Sequence, residues 1–139
     1  MRTTHLRRLA LATVLCTGAA GAFAQSDCGA DLKSAERAES ARYVVVWRAQ
    51  PAIAVSRHFA LDIAVCAKAG APAAETLAVD ARMPEHGHGM NYKAAVKALG
   101  NGRFRAEGLM LHMPGRWEFE FAVGTGAAAE RVRRDYLLR

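Results

Sequence analysis

The sequence predicts an all-β fold, an antiparallel sandwich of two packed sheets, and three observations predict it. Apolar and polar residues alternate with period two through most of the chain beyond residue 41. Clusters of Gly, Pro and Asn recur at short intervals between these runs. No segment reads as the crossover helix that parallel strands would need.

The elements follow in order. Residues 25–41 are polar and alanine-rich and read as a leader, tied down through Cys28. Arg42-Tyr43-Val44-Val45-Val46-Trp47-Arg48 is β-branched and aromatic, fits a pleated surface, and stops before Pro51. From His58 to Cys66 the chain alternates, with Phe59, Leu61, Ile63 and Val65 on one face and His58, Asp62 and Cys66 on the other. Lys68-Ala69-Gly70-Ala71-Pro72 is a turn. Thr76 to Met83 is the third strand, facing inward with Leu77, Val79, Ala81 and Met83. A loop with two glycines spans 84–91. Residues 92–99 suit a strand or, by their alanines and lysines, a helix; their setting between two loops favours a strand. Gly100-Asn101-Gly102 is a strong turn signal. Strands follow at 103–110, at 117–123 (Trp117, Phe119, Phe121 and Val123 against Glu118 and Glu120) and at 130–138. About seven short strands joined by tight turns imply an immunoglobulin-like antiparallel sandwich.

The first 24 residues read as a secretory signal peptide. Arg2, Arg7 and Arg8 form a basic start, residues 9–15 a short apolar run, and Ala22-Phe23-Ala24 a small-x-small cleavage site. The run is shorter than the roughly 20 residues of a transmembrane helix. Leu15 is too bulky to precede a lipidated Cys16. The expected product begins at Gln25, is periplasmic or secreted, and has no stable membrane insertion after cleavage. Its length, about 115 residues, fits one domain with one core.

Charge excludes one class of partner. The chain has 19 basic and 13 acidic residues. Loss of Arg2, Arg7 and Arg8 with the signal leaves 16 against 13, a balance of only +3. The C-terminal arginines 131, 133, 134 and 139 are interleaved with Glu130 and Asp135, the pattern of a solvated strand face. No nucleic-acid role follows.

Cleavage also leaves two of three cysteines, Cys28 and Cys66. An even pair in an oxidising compartment is read as a disulfide. Two thiols serving a metal are the alternative, but their wide spacing is unlike a Cys-x-x-Cys site.

One segment carries candidate chemistry. Met83-Pro84-Glu85-His86-Gly87-His88-Gly89-Met90 gathers two imidazoles, two thioethers and a carboxylate. Met110-Leu111-His112-Met113 is a second cluster, at a strand end. Thioether sulfur suits Cu(I) and imidazole suits both copper states, so the inventory is of copper type. His86, His88, Met90 and His112 are the candidate ligands, with Met83, Met110 and Met113 in reserve. Met83 shares the face of Leu77 and Val79 and is assigned to the core. Alternation places Met110 and His112 on one face and Met113 on the other. A structural use competes with this: a shaped turn whose imidazoles cap carbonyls, and methionines that fill the core. Catalysis is not expected, since no nucleophile–base arrangement and no phosphate loop is present.

These segments resemble the YtkA-like domain family of exported bacterial proteins, whose relatives include FixH-like domains. The likeness is carried by Arg57-His58-Phe59-Ala60-Leu61-Asp62-Ile63-Ala64-Val65, by Met83-Pro84-Glu85-His86-Gly87-His88-Gly89-Met90-Asn91-Tyr92 and by the stretch from Phe104 to Phe119. It covers residues 42–137, and its most specific pieces are Met-Pro-x-His-Gly-His-Gly and Met-Pro-Gly-x-Trp. The resemblance implies an immunoglobulin-like sandwich over residues 42–139, on the outer side of the inner membrane. Some relatives are fused to, or sit near, copper-transport and cytochrome-oxidase assembly proteins. Unlike FixH-like members, this chain lacks their transmembrane anchor. Two expectations follow: a periplasmic copper-handling module, or a non-metal accessory domain that meets an envelope partner and uses its His-Gly-His turn structurally.

Overall fold

A computed structural model of the chain describes residues 27–139. The signal-peptide segment, residues 1–24, lies outside the described residues. Among the described residues nine antiparallel strands form two sheets. They are β1 (Glu36–Glu39), β2 (Tyr43–Gln50), β3 (His58–Ala67), β4 (Leu77–Met83), β5 (His88–Gly89), β6 (Ala95–Gly100), β7 (Arg103–Met110), β8 (Gly115–Val123) and β9 (Glu130–Leu138). One sheet runs β1-β2-β3-β7-β6 and the other β5-β4-β8-β9. The all-β sandwich expected from the period-two pattern is the observed architecture. Residues 95–100 form a strand and not a helix. Two strands are additional: β1 lies inside the stretch read as a leader, and β5 inside the stretch read as a loop. Among the described residues no helix is long and apolar enough to cross a membrane.

The core forms where the inward faces of the sheets meet. Tyr43, Val45 and Trp47 of β2 and Phe59, Leu61, Ile63 and Val65 of β3 pack against Leu77, Val79, Ala81 and Met83 of β4 and Trp117, Phe119 and Phe121 of β8. Trp47 lies 4.6 Å from Phe121 between ring centroids and Phe59 meets Phe119 edge-on at 6.4 Å, so aromatic contacts bridge the layers. The outer face of β2 and β3 carries a smaller cluster of Cys28, Val44, Val46 and Ala64. The leader covers it, and a Cys28–Cys66 disulfide holds the cover down. Next to it Asp62 bridges Arg105 (2.5 Å) and Arg48 (3.2 Å); burial opposes its charge, but the two guanidiniums hold its carboxyl below the ordinary range.

A bulge in β7 sets the phase of everything downstream. Phe59 pairs with Leu109 and Leu61 with Ala106, so two residues of β7, Glu107 and Gly108, oppose the single Ala60 of β3. Gly108 takes the extra position at φ 78°, in the left-handed region. Phe104 and Ala106 are buried, Glu107 and Gly108 are both exposed, and Leu109 and Leu111 are buried again. Simple alternation from Phe104 would instead have turned Met110 and His112 inward.

Candidate metal centre

A hairpin within one sheet, β4 to β5, and one connection between the sheets, β7 to β8, bring histidines to one end of the sandwich. The first histidine segment is a hairpin. β4 ends at Met83 because Pro84 has no amide hydrogen to continue it. The amides of His86 and Gly87 both donate to the Met83 carbonyl, at 3.1 and 3.0 Å. Gly87, at φ 68°, turns the chain back, and Met83 pairs with His88 to close a four-residue loop. Beyond β5 the Met90 amide donates to the Ala81 carbonyl at 2.9 Å, so Met90 stays moored to β4. Glu85 pairs with Arg116 at 3.1 Å, and Arg116 also pairs with Asp135 at 3.1 Å. Asp135 first and Glu85 second raise the Arg116 pKa and balance its charge beside the loop.

The second segment is the connection from β7 to β8. Ser56 holds it from outside: its amide donates to the Leu111 carbonyl at 2.8 Å and its hydroxyl to the His112 carbonyl at 3.2 Å. Trp117 holds it from inside, donating its indole N–H to the Met113 carbonyl at 3.1 Å. Leu111, fully buried, anchors it in the core. Alternation does not extend past Met110, where β7 stops: Met110 stands across from His58 at the edge of β3, whereas the His112 ring meets Trp117.

Two histidines 24 positions apart thereby converge. The His88 and His112 ring centroids are 5.0 Å apart, tilted by 35°. Both rings stand edge-on to Trp117, at 6.2 and 5.4 Å. His86 is exposed, with its ring 5.8 Å from that of His88. The His88 Nδ1 lies 3.4 Å from the Gly89 carbonyl, which leaves Nε2 as the ring's remaining donor. The His112 Nδ1 is buried and has no hydrogen-bond partner. Leaving such a nitrogen unpaired costs about 1–3 kcal/mol, a cost that an ion bound there would remove.

Three methionines flank the two histidine segments in the chain, Met83 and Met90 around His88 and Met113 after His112. Met83 is almost fully buried, as its place on the inner face of β4 requires. Met90 and Met113 are partly buried and pack on the same core. Among the described residues no three His, Cys, Asp or Glu side chains are placed to hold a metal together. A centre here therefore needs sulfur from methionine beside the two imidazoles, a soft set that fits Cu(I) better than zinc or magnesium. The cysteines contribute nothing, being joined to each other.

Sequence reasoning did not single out Ser56 or Trp117. Trp117 was legible as an inward residue of its strand and as the end of the Met-Pro-Gly-x-Trp piece, but not as a neighbour of the histidines. Ser56 acts through backbone contacts across 56 positions of sequence, for which a single sequence carries no signal. No protein-family model, curated protein or solved structure matches the chain.

Proposed function

We propose that this protein is an exported copper-binding module of the bacterial cell envelope, holding the ion between His88 and His112 with thioether support from Met90. One observation carries the reading: two imidazoles, one from the β4–β5 hairpin and one from the β7–β8 connection, meet at 5.0 Å, and one of them has a buried nitrogen without a partner. The disulfide supports an oxidising compartment, and the resemblance to YtkA-like domains supports copper handling. Imidazole and thioether ligands without a thiolate make the binding reversible.

The test is titration with Cu(I) and Cu(II), with Zn(II) as control. Wild-type protein is expected to bind one equivalent of Cu(I). His88→Ala combined with His112→Ala is expected to bind none while keeping its β-type circular dichroism. An unchanged titration in that variant removes the reading.

A second reading has its own observation. β5 covers only the Arg82–Met83 end of β4, and an open cleft of about 470 Å³ separates β4 from β6, lined by Val79, Lys93, Ala94 and Val96. An accessory domain would use this side for an envelope partner. Under that reading the double variant melts earlier and the wild type carries no copper.

A further inference from the structure

His88 belongs to two imidazole pairs at once. It lies 5.8 Å from His86 and 5.0 Å from His112 between ring centroids. Metal–nitrogen bonds of about 2.0 Å place the centroids of two imidazoles on one ion roughly 5–6.5 Å apart, so each pair has the spacing of a ligand pair. The pairs differ in depth. His86 is exposed on the tip of the hairpin, whereas His88 and His112 are half-buried against Trp117 and the His112 Nδ1 is out of contact with solvent. An ion seated on the inner pair is thus screened from a second protein, and the exposed imidazole of His86 stands beside it.

We propose that His86 is the exchange ligand of this centre. Copper enters on the His86–His88 pair, passes to the His88–His112 pair with His88 as pivot, and leaves by the reverse route. The bond to His86 breaks as the bond to His112 forms, the bond to His88 persists, and the ion keeps its oxidation state. The delivering or receiving partner is a protein that offers a thioether or imidazole to the ion at His86. The inference rests on the copper reading above.

Microscopic reversibility makes the inference specific. A ligand that lies on the route but not in the resting seat changes loading and release by the same factor and leaves affinity alone. The experiment compares wild type, His86→Ala and His112→Ala. Cu(I) release to the chelator bathocuproine disulfonate is followed by stopped-flow absorbance, and affinity is measured by competition with the same chelator. His86→Ala is expected to slow both loading and release about tenfold with an affinity changed less than about threefold, whereas His112→Ala weakens affinity at least about tenfold. His86 is exposed, and the bond from its amide to Met83 does not involve the side chain, so the variant keeps its fold. For His112→Ala a thermal melt is run in parallel, and His112→Gln, which keeps polarity and bulk, is expected to lose affinity equally. Unchanged rates in His86→Ala overturn the inference, as does an affinity loss matching that of His112→Ala, which would make His86 a resting ligand. Full affinity in both His112 variants overturns it as well. Absence of Cu(I) binding by the wild type overturns the copper reading itself.

Discussion

Glu130 shows how one side chain joins the two ends of the described chain. Its carboxylate accepts from the Ser40 hydroxyl, from the Arg42 amide at 2.9 Å and from the Arg42 guanidinium. These donors, Ser40 first and Arg42 second, push its pKa down to about 2. The folded value lies below the ordinary carboxylate value, so the contribution is fully present above about pH 4.5 and is lost as pH falls towards 2. Glu130→Gln is expected to flatten the acid limb of the stability–pH curve in that window, measured by urea denaturation at stepped pH. A limb as steep as that of the wild type would show that Glu130 is not its source. The Arg131, Arg133, Glu118 and Glu120 ladder on the same sheet is a solvated face, the use its interleaved charges indicate. Its exposed pairs contribute roughly 0–1 kcal/mol each.

At the scale of elements, the strands legible in the sequence are those with a continuous row of apolar residues on one face. β4 and β8 bury every second residue, β3 buries its four inward residues together with Ala60 and Ala64 on the other face, and the boundaries of all three fall within about two residues of those expected from pattern alone. β1 was hidden because Glu36-Arg37-Ala38-Glu39 buries a single alanine; pairing with β2 creates it, not its own pattern. β5 was hidden because two residues have no period. The bulge in β7 was hidden for a different reason: an extra residue shows itself only against a partner strand. It nevertheless decides the candidate site, since it turns Leu109 and Leu111 inward and so fixes where the connection bearing His112 begins. Gly108→Ala tests this. An added Cβ meets nothing closer than the Lys93 carbonyl at 3.9 Å, so the penalty is conformational and not steric. The expected loss is about 1 kcal/mol in urea denaturation, together with weaker Cu(I) binding. Stability equal to wild type would mean that β7 re-registers without the bulge.

Across the whole molecule the donors are sorted by end. Four histidines and four methionines lie beyond the signal segment. Met83 closes β4, His86, His88 and Met90 follow it, His58 opens β3 opposite Met110, and His112 and Met113 lead into β8. All of them thus gather at one pole, a grouping that the sequence shows only as two separate clusters. The disulfide sits towards the other end, with Cys66 eight residues along β3 from His58, about 26 Å. Cys28→Ala with Cys66→Ala is expected to cost about 3–4 kcal/mol, from the loop it no longer closes, and to leave the copper stoichiometry unchanged. Thermal melts and copper titration of that variant measure the two effects separately, and a lost equivalent of copper would tie the ends together. The separation also imposes an order on maturation. Before the cysteines join, the nascent chain offers a pair of sulfhydryls that outcompete imidazole and thioether for a cuprous ion, in the wrong half of the protein. If the protein carries copper as proposed, oxidation comes first and metallation second, and a preparation loaded before it is oxidised would trap its cargo away from the proposed seat.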